Sequence, residues 1–314
     1  MNKIRVGITM GDPSGIGPAI ILKAVKKLHG FFEFTVIGDE WVFEQLRRVS
    51  FSCGFVDLNN VGRRNFSFGQ IKAEYGRASV EYLDKALELI KNKQIDCLVT
   101  CPVSKEAINK AGIGFPGHTE YLAKKAHTKN FAMMLLNKYL KFSLVTWHIP
   151  LKSVPGEIKK EKLYKTINLT YNSLKELFSI KEPKIVICGL NPHASDNGLF
   201  GTEENRIIKP LIKKLKNKIK YIDGPKSADV AILQLKEKKY DCAIVMYHDQ
   251  ALIPLKVLDP STGVNFTLGL PFIRTSPLHG TAFDIAKDYP ACDPSSLIQS
   301  IRLAGLCALN QKNN

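Results

Sequence analysis

A chain of 314 residues with 45% apolar and 24% charged side chains has the composition of a folded protein of one or two domains. No apolar stretch approaches the roughly 20 residues of a membrane span, and the start, MNKIRVGITMGDPSG, has no signal-peptide h-region, so a cytoplasmic protein with no membrane partner is expected. The formal charge of +16 lies largely in lysine runs such as IKKEKLYK (158–165) and IKKLKNKIK (212–220), solvated helix faces without interleaved aromatics; nucleic acid is excluded as a partner and small anionic ligands are favoured.

Strand-like and helix-like segments alternate along the chain. IRVGITM, AIILKAVKKL, FEFTVIG, VEYLDKALELIKNK and IDCLVTCPV come first; FSLVTW, LYKTINLTYNSLKELF, KIVICGL, RIIKPLIKKL, VAILQLKEKK and CAIVMYH follow. That order predicts an α/β fold with a largely parallel sheet. SSLIQSIRLAGLCALN reads as a closing helix and QKNN as a frayed end.

The loop GDPSGIGPA joins the first strand to the first helix and places Gly11, Asp12, Gly15 and Gly17 where a backbone can approach a ligand. Its spacing is neither the dinucleotide fingerprint nor a P-loop, so a tight turn and a cofactor-binding loop are both open. Seven cysteines without a C-x-x-C pair predict reduced thiols; Cys97, Cys188 and Cys242 fall inside strands, and Cys101, in VTCPVSK, lacks a histidine partner for a nucleophilic role. In GFPGHTEY, His118 and Thr119 follow a Pro-Gly turn and offer a donor and acceptor pair, with Thr119 alternatively a helix N-cap.

Three histidines recur in one context. His148, His193 and His248 each stand just past an apolar strand-like run, in FSLVTWHIP, PKIVICGLNPHA and DCAIVMYHDQ. Ligands of open α/β sheets bind beyond the carboxyl ends of the strands, so three imidazoles delivered there can share one divalent metal. Any one of them alone reads as a hydrogen-bonded strand-end histidine; the repetition favours the metal. Near the end, Lys256, Asn265 and Arg274 add polar groups. Arginine is scarce between Arg77 and Arg302, and its planar fork inside the apolar loop LGLPFIRTS suits a phosphate or carboxylate, or else a loop-bracing salt bridge.

The blocks GDPSGIGP, CPVSKEAINKAGIGFPGHTE, NPHASDNGLFGTEE, YHDQ, GVNFTLGLPFIRTS and HGTA together resemble the 4-hydroxythreonine-4-phosphate dehydrogenase family of pyridoxal 5'-phosphate biosynthesis over nearly the whole chain. The resemblance implies a two-lobed α/β/α fold of the isocitrate and isopropylmalate dehydrogenase type, not Rossmann, with an active-site cleft between lobes. It places the lobes at 1–124 plus 264–314 and at 125–263. It implies oxidation and decarboxylation of a phosphorylated β-hydroxy acid with NAD or NADP and one divalent cation, zinc, magnesium or cobalt. It further implies that His148, His193 and His248 hold the metal across a homodimer and that His118, Thr119, Lys256, Asn265 and Arg274 bind substrate. Asp229 and Asp249 match polar family positions, as candidate catalytic groups or as a helix cap and a histidine orienter.

Ala19, Cys101, Ser195 with Asp196, Ala251 and Leu278 depart from the family pattern, none at a proposed ligand. These departures leave 4-phospho-D-threonate and 4-phospho-D-erythronate as alternative substrates and a regulatory binding protein as an alternative class; the three histidines leave a hydrolase using the metal to activate water as another.

Overall fold

The computed structural model describes residues 3–46 and 53–313. The chain forms two compact units: one runs to Lys129 and resumes over Leu270–Asn313, and the other is Asn130–Gly269. Both boundaries fall a few residues later than the sequence places them. Residues after the helix His118–Lys125 still close its last turn, with Thr128 N–H donating to Ala123 O, and Val264–Leu268 pairs with Ala132–Leu136 inside the second unit.

In chain order the strands are β1 (Arg5–Thr9), β2 (Glu33–Gly38), β3 (Gly54–Asp57), β4 (Cys97–Thr100), β5 (Ala132–Leu136), β6 (Lys141–Leu144), β7 (Lys184–Cys188), β8 (Tyr221–Lys226), β9 (Cys242–Val245), β10 (Val264–Leu268) and β11 (Ile273–Pro277). Within the first unit they lie in the order β3-β2-β1-β4-β11, every pair parallel. Val6 stands opposite Phe34 on one side and Cys97 on the other. Helices Ala73–Lys91 and Ser295–Asn313 pack on these strands, which explains why β4 is buried at every position and reads as a continuous apolar run. The closing helix continues through Gln311 and Lys312, contrary to the expected fraying; Lys312 Nζ is 2.9 Å from the carboxylate of half-buried Asp96. Asn314 lies outside the described residues.

In the second unit the order is β10-β5-β6-β9-β7-β8. The β6, β9, β7 and β8 neighbours are parallel, whereas β10–β5 and β5–β6 are antiparallel. A side-chain turn makes the β5–β6 hairpin: Asn137 Oδ1 accepts the N–H groups of Tyr139 and Leu140 at 2.9 Å each. Helices Lys160–Glu176, Ala228–Lys236 and His248–Leu258 pack against these strands. Among the described residues, no helix is long and apolar enough to cross a membrane.

Candidate active site

Parallel pairing delivers two of the three histidines to each other. The β6–β9 ladder continues past the strand ends, with Val145 N–H donating to Val245 O and Thr146 N–H to Met246 O. His148 and His248 therefore emerge side by side, their ring centroids 5.6 Å apart. They border a cavity of about 240 Å³ whose lining includes Trp147, Tyr247 and Asp249. His248 opens the helix His248–Leu258, and its Nδ1 is 2.8 Å from Asp249 Oδ1, leaving Nε2 as the free ring nitrogen for a ligand. Asp249 is thus placed as a histidine orienter.

His193 follows β7, the other neighbour of β9, yet its loop turns aside. Among the described residues no group of three or more His, Cys, Asp or Glu side chains is arranged to hold a metal. Two neighbouring imidazoles fit part of the coordination shell of a borderline divalent cation, and the chain brings no third histidine to them. Five consecutive residues cause the turn: His193, Ala194, Ser195, Asp196 and Asn197 all have φ between 43° and 69°. Non-glycine residues in that left-handed region cost about 1–2 kcal/mol each. Ser195 is fully buried, and its Oγ has no hydrogen-bond partner. Ser195→Gly should therefore stabilise the protein by about 1–2 kcal/mol, relieving the backbone and removing a buried unmet hydroxyl. Urea unfolding checks this; a lower midpoint for the variant would contradict it.

The first unit holds the anion-seeking groups. Arg274 lies within β11, not in the loop expected, and is 1% exposed. Its Nη2 and Nε donate to Thr100 Oγ1, at the end of β4, at 2.6 and 3.2 Å. Burial pushes the guanidinium down to about 9, with Glu120 pulling the other way. A charge kept there is costly, and the carboxylate of Glu120 offsets part of that cost.

His118 is the first residue of its helix and Gly117 the N-cap, so Thr119 is not the cap proposed from the sequence. Burial, then the positive charges of Arg274 and Lys105, holds the His118 imidazole well below its usual value, and Nε2 is buried without a partner. Phe115 fixes the ring by an edge contact, centroids 5.8 Å apart. Thr119 is buried beside it.

The remaining candidates divide. Asn265 lies in β10, with its Oδ1 buried and unpartnered, an acceptor position that suits a ligand N–H or O–H. Lys256 is exposed on the helix that His248 begins. Asp229 sits in the first turn of Ala228–Lys236; hydrogen bonds from Ser227 and the Val230 N–H, with the nearby His193, hold its carboxyl below the usual range. That makes it a helix-terminal group and a weak base.

Packing requires glycine at two positions of the glycine loop. A Cβ on Gly11, at φ 74°, would stand 2.3 Å from Pro102 O, and one on Gly17 would stand 2.1 Å from Met10 O. Gly15 lies against Thr281, whose carbonyl accepts the Ile16 N–H. Asp12 is fully buried, accepts from Ser14, and is pushed up to about 6 by burial. Its other oxygen has no partner.

The cysteines are free, all buried except half-buried Cys53, and burial pushes the Cys101 thiol up, out of nucleophilic range. Three polar residues with structural evidence were not singled out from the sequence. His279, in HGTA, has a buried unpartnered Nε2; Gln250 and Glu204 brace the histidine loops from inside. The motifs YHDQ and GTEE contained the latter two, but only burial distinguishes them from surface residues.

A family model described as pyridoxal phosphate biosynthetic protein PdxA matches residues 19–304. A 4-hydroxythreonine-4-phosphate dehydrogenase of Sulfurihydrogenibium sp. is 43% identical, covering 96% of this chain and 97% of its own. A D-threonate 4-phosphate dehydrogenase of Salmonella typhimurium is 37% identical, covering 97% and 99%. The crystal structure of the Klebsiella pneumoniae 4-hydroxythreonine-4-phosphate dehydrogenase superposes with a TM-score of 0.86 at 35% identity, covering 98% of each chain. On this agreement of sequence and fold along nearly its whole length, the chain belongs to the PdxA family of pyridoxal phosphate biosynthetic proteins.

Proposed function

We propose that this protein is a metal-dependent, NAD(P)-linked dehydrogenase that oxidises and decarboxylates 4-phosphohydroxy-L-threonine to 3-amino-2-oxopropyl phosphate and CO2. The same proposal includes the isocitrate and isopropylmalate dehydrogenase type of architecture. The observation that carries it is the buried Arg274 beside His118 Nε2. A guanidinium desolvated to this degree, next to an imidazole held neutral, suits a phosphate: Arg274 supplies the charge and His118 one neutral N–H.

His148 and His248 would hold the cation, with His193 of a second copy as third ligand. When bound, the cation supplies Lewis acidity at a substrate hydroxyl and the nicotinamide supplies a hydride acceptor. Asp249 keeps His248 turned toward its ligand. Asn265 would accept from the substrate amine or hydroxyl, Thr119 would add a hydroxyl near the phosphate, and Lys256 would add positive charge.

Exposed apolar residues accompany each of His148, His193 and His248 and support the homodimer. Leu151 follows His148; Leu199 and Phe200 follow His193; Ile253 and Val257 lie on the helix of His248, with Val257 78% exposed. Surface of that kind suits burial against a second copy.

A second substrate, 4-phospho-D-threonate, is favoured by the Salmonella typhimurium relative. It carries the phosphate and the oxidisable carbon but replaces the amine with a hydroxyl. Reduction of NAD or NADP with each phosphorylated substrate, before and after chelation, tests the reading.

A further inference from the structure

We infer that Gln250 is a positioning residue that locks the turn bearing His248 to the loop bearing His193, so that one side chain sets how both imidazoles are presented. The inference rests on the metal reading above. Gln250 occupies the first turn of the helix that His248 begins and is buried. Its Oε1 accepts the Met246 N–H at 2.7 Å, two residues before His248. Its Nε2 donates to Gly189 O at 2.9 Å, four residues before His193. One amide therefore joins the ends of β9 and β7 where their ladder stops.

The far side of the same loop is clamped by Glu204, which is fully buried. Its Oε1 accepts the N–H groups of Leu190 and Asn191 at 2.8 Å each, and its Oε2 accepts from Asn191 Nδ2 at 2.9 Å. Glu204 starts a π-helical turn, Glu204–Ile208, an irregular coil that carries the carboxylate inward. Gly189 fits between, since a Cβ there would meet Ala194 Cα at 2.9 Å. With the loop held from both directions, the five-residue left-handed turn has a fixed origin. Gln250 does not itself line the cavity between the histidines, which makes its effect on them indirect and separable.

Cobalt(II) is the probe, because its visible spectrum reports ligand number and geometry without turnover. The parent protein, His248→Ala, Gln250→Glu and Gln250→Met are titrated with cobalt, and the Tm of each metal-free protein is measured. Gln250→Glu keeps an acceptor for Met246 and turns a carboxylate oxygen against Gly189 O; Gln250→Met removes both bonds. The expected result is cobalt binding about 10–100-fold weaker in both variants, the range for losing a residue that orients ligands, with an altered visible band.

A parent-like band and affinity at a lowered Tm would overturn the inference and leave Gln250 as an ordinary core residue. Loss of folding in both variants would do the same. If the parent forms no cobalt band that depends on His248, the metal reading itself falls, and the inference with it.

Discussion

Replacing His248 with alanine is expected to abolish metal-dependent turnover while leaving the fold intact. The side chain is half-exposed at a helix start and makes its polar contact with exposed Asp249, so truncation opens no core cavity. Loss of one imidazole from the proposed ion should cost roughly a thousandfold in kcat, about 4 kcal/mol. Added zinc or cobalt should not restore it, whereas the chelated parent should recover fully.

The pairing of His148 with His248 in one chain also fixes which mutants complement. His193→Ala mixed with His248→Ala should regain about a quarter of parent activity, because random exchange of homodimers makes half of them mixed, each with one intact site. His148→Ala mixed with His248→Ala should regain none, since both ligands come from the same chain. Complementation by the second mixture would show that the histidines pair differently in the assembled protein.

Arg274→Lys is expected to lower kcat/KM for the phosphorylated substrate by about 1.5–3 kcal/mol, some 10- to 150-fold. The guanidinium spans to Thr100 Oγ1 with two nitrogens inside a fully enclosed position. Lysine keeps the charge but loses the planar fork and concentrates it on a more strongly hydrated ammonium, which costs more to bury. KM for NAD(P) should change far less. Discrimination against a dephosphorylated substrate should narrow, because the group that reads the phosphate has been weakened. Equal loss on both substrates would assign Arg274 to the substrate carboxylate or to bracing β11 against β4.

The legible part of this fold was the parallel core. Runs such as CLVT and KIVIC are apolar at successive positions because both faces are covered, and their flanking Pro, Asn and Gly mark the ends. The same feature exposed the three histidines. Strands on the other side of each unit were harder to read. β11 looked like a loop because glycine and proline precede it in LGLPFIRTS, and β10, just before it, was not singled out as a strand.

Arg274 was therefore expected in a loop, although its rarity in the sequence still singled it out. Thr119 looked like an N-cap by residue type, but the chain gives that position to Gly117, with φ 162°. The glycine loop left turn and ligand open; the close approaches to Pro102 and Met10 require glycine at positions 11 and 17 under either reading. Gln250 and Glu204 left no sequence signal of burial, because a polar residue in a polar motif looks solvated until its partners, here mostly main-chain groups on the loops after β7 and β9, are placed.

The proposed activity is nicotinamide reduction driven by a phosphorylated hydroxy acid at a histidine-held metal. The most direct measurement is absorbance of the reduced nicotinamide, with NAD and NADP in turn, on 4-phosphohydroxy-L-threonine, 4-phospho-D-threonate and 4-phospho-D-erythronate, using parent protein before chelation, after it, and after adding back a divalent cation. The expected result is reduction with a phosphorylated substrate, 4-phosphohydroxy-L-threonine turning over fastest, lost on chelation and regained with metal. No reduction with any substrate and either cofactor in metal-replete protein, or release of inorganic phosphate without reduction, would contradict it.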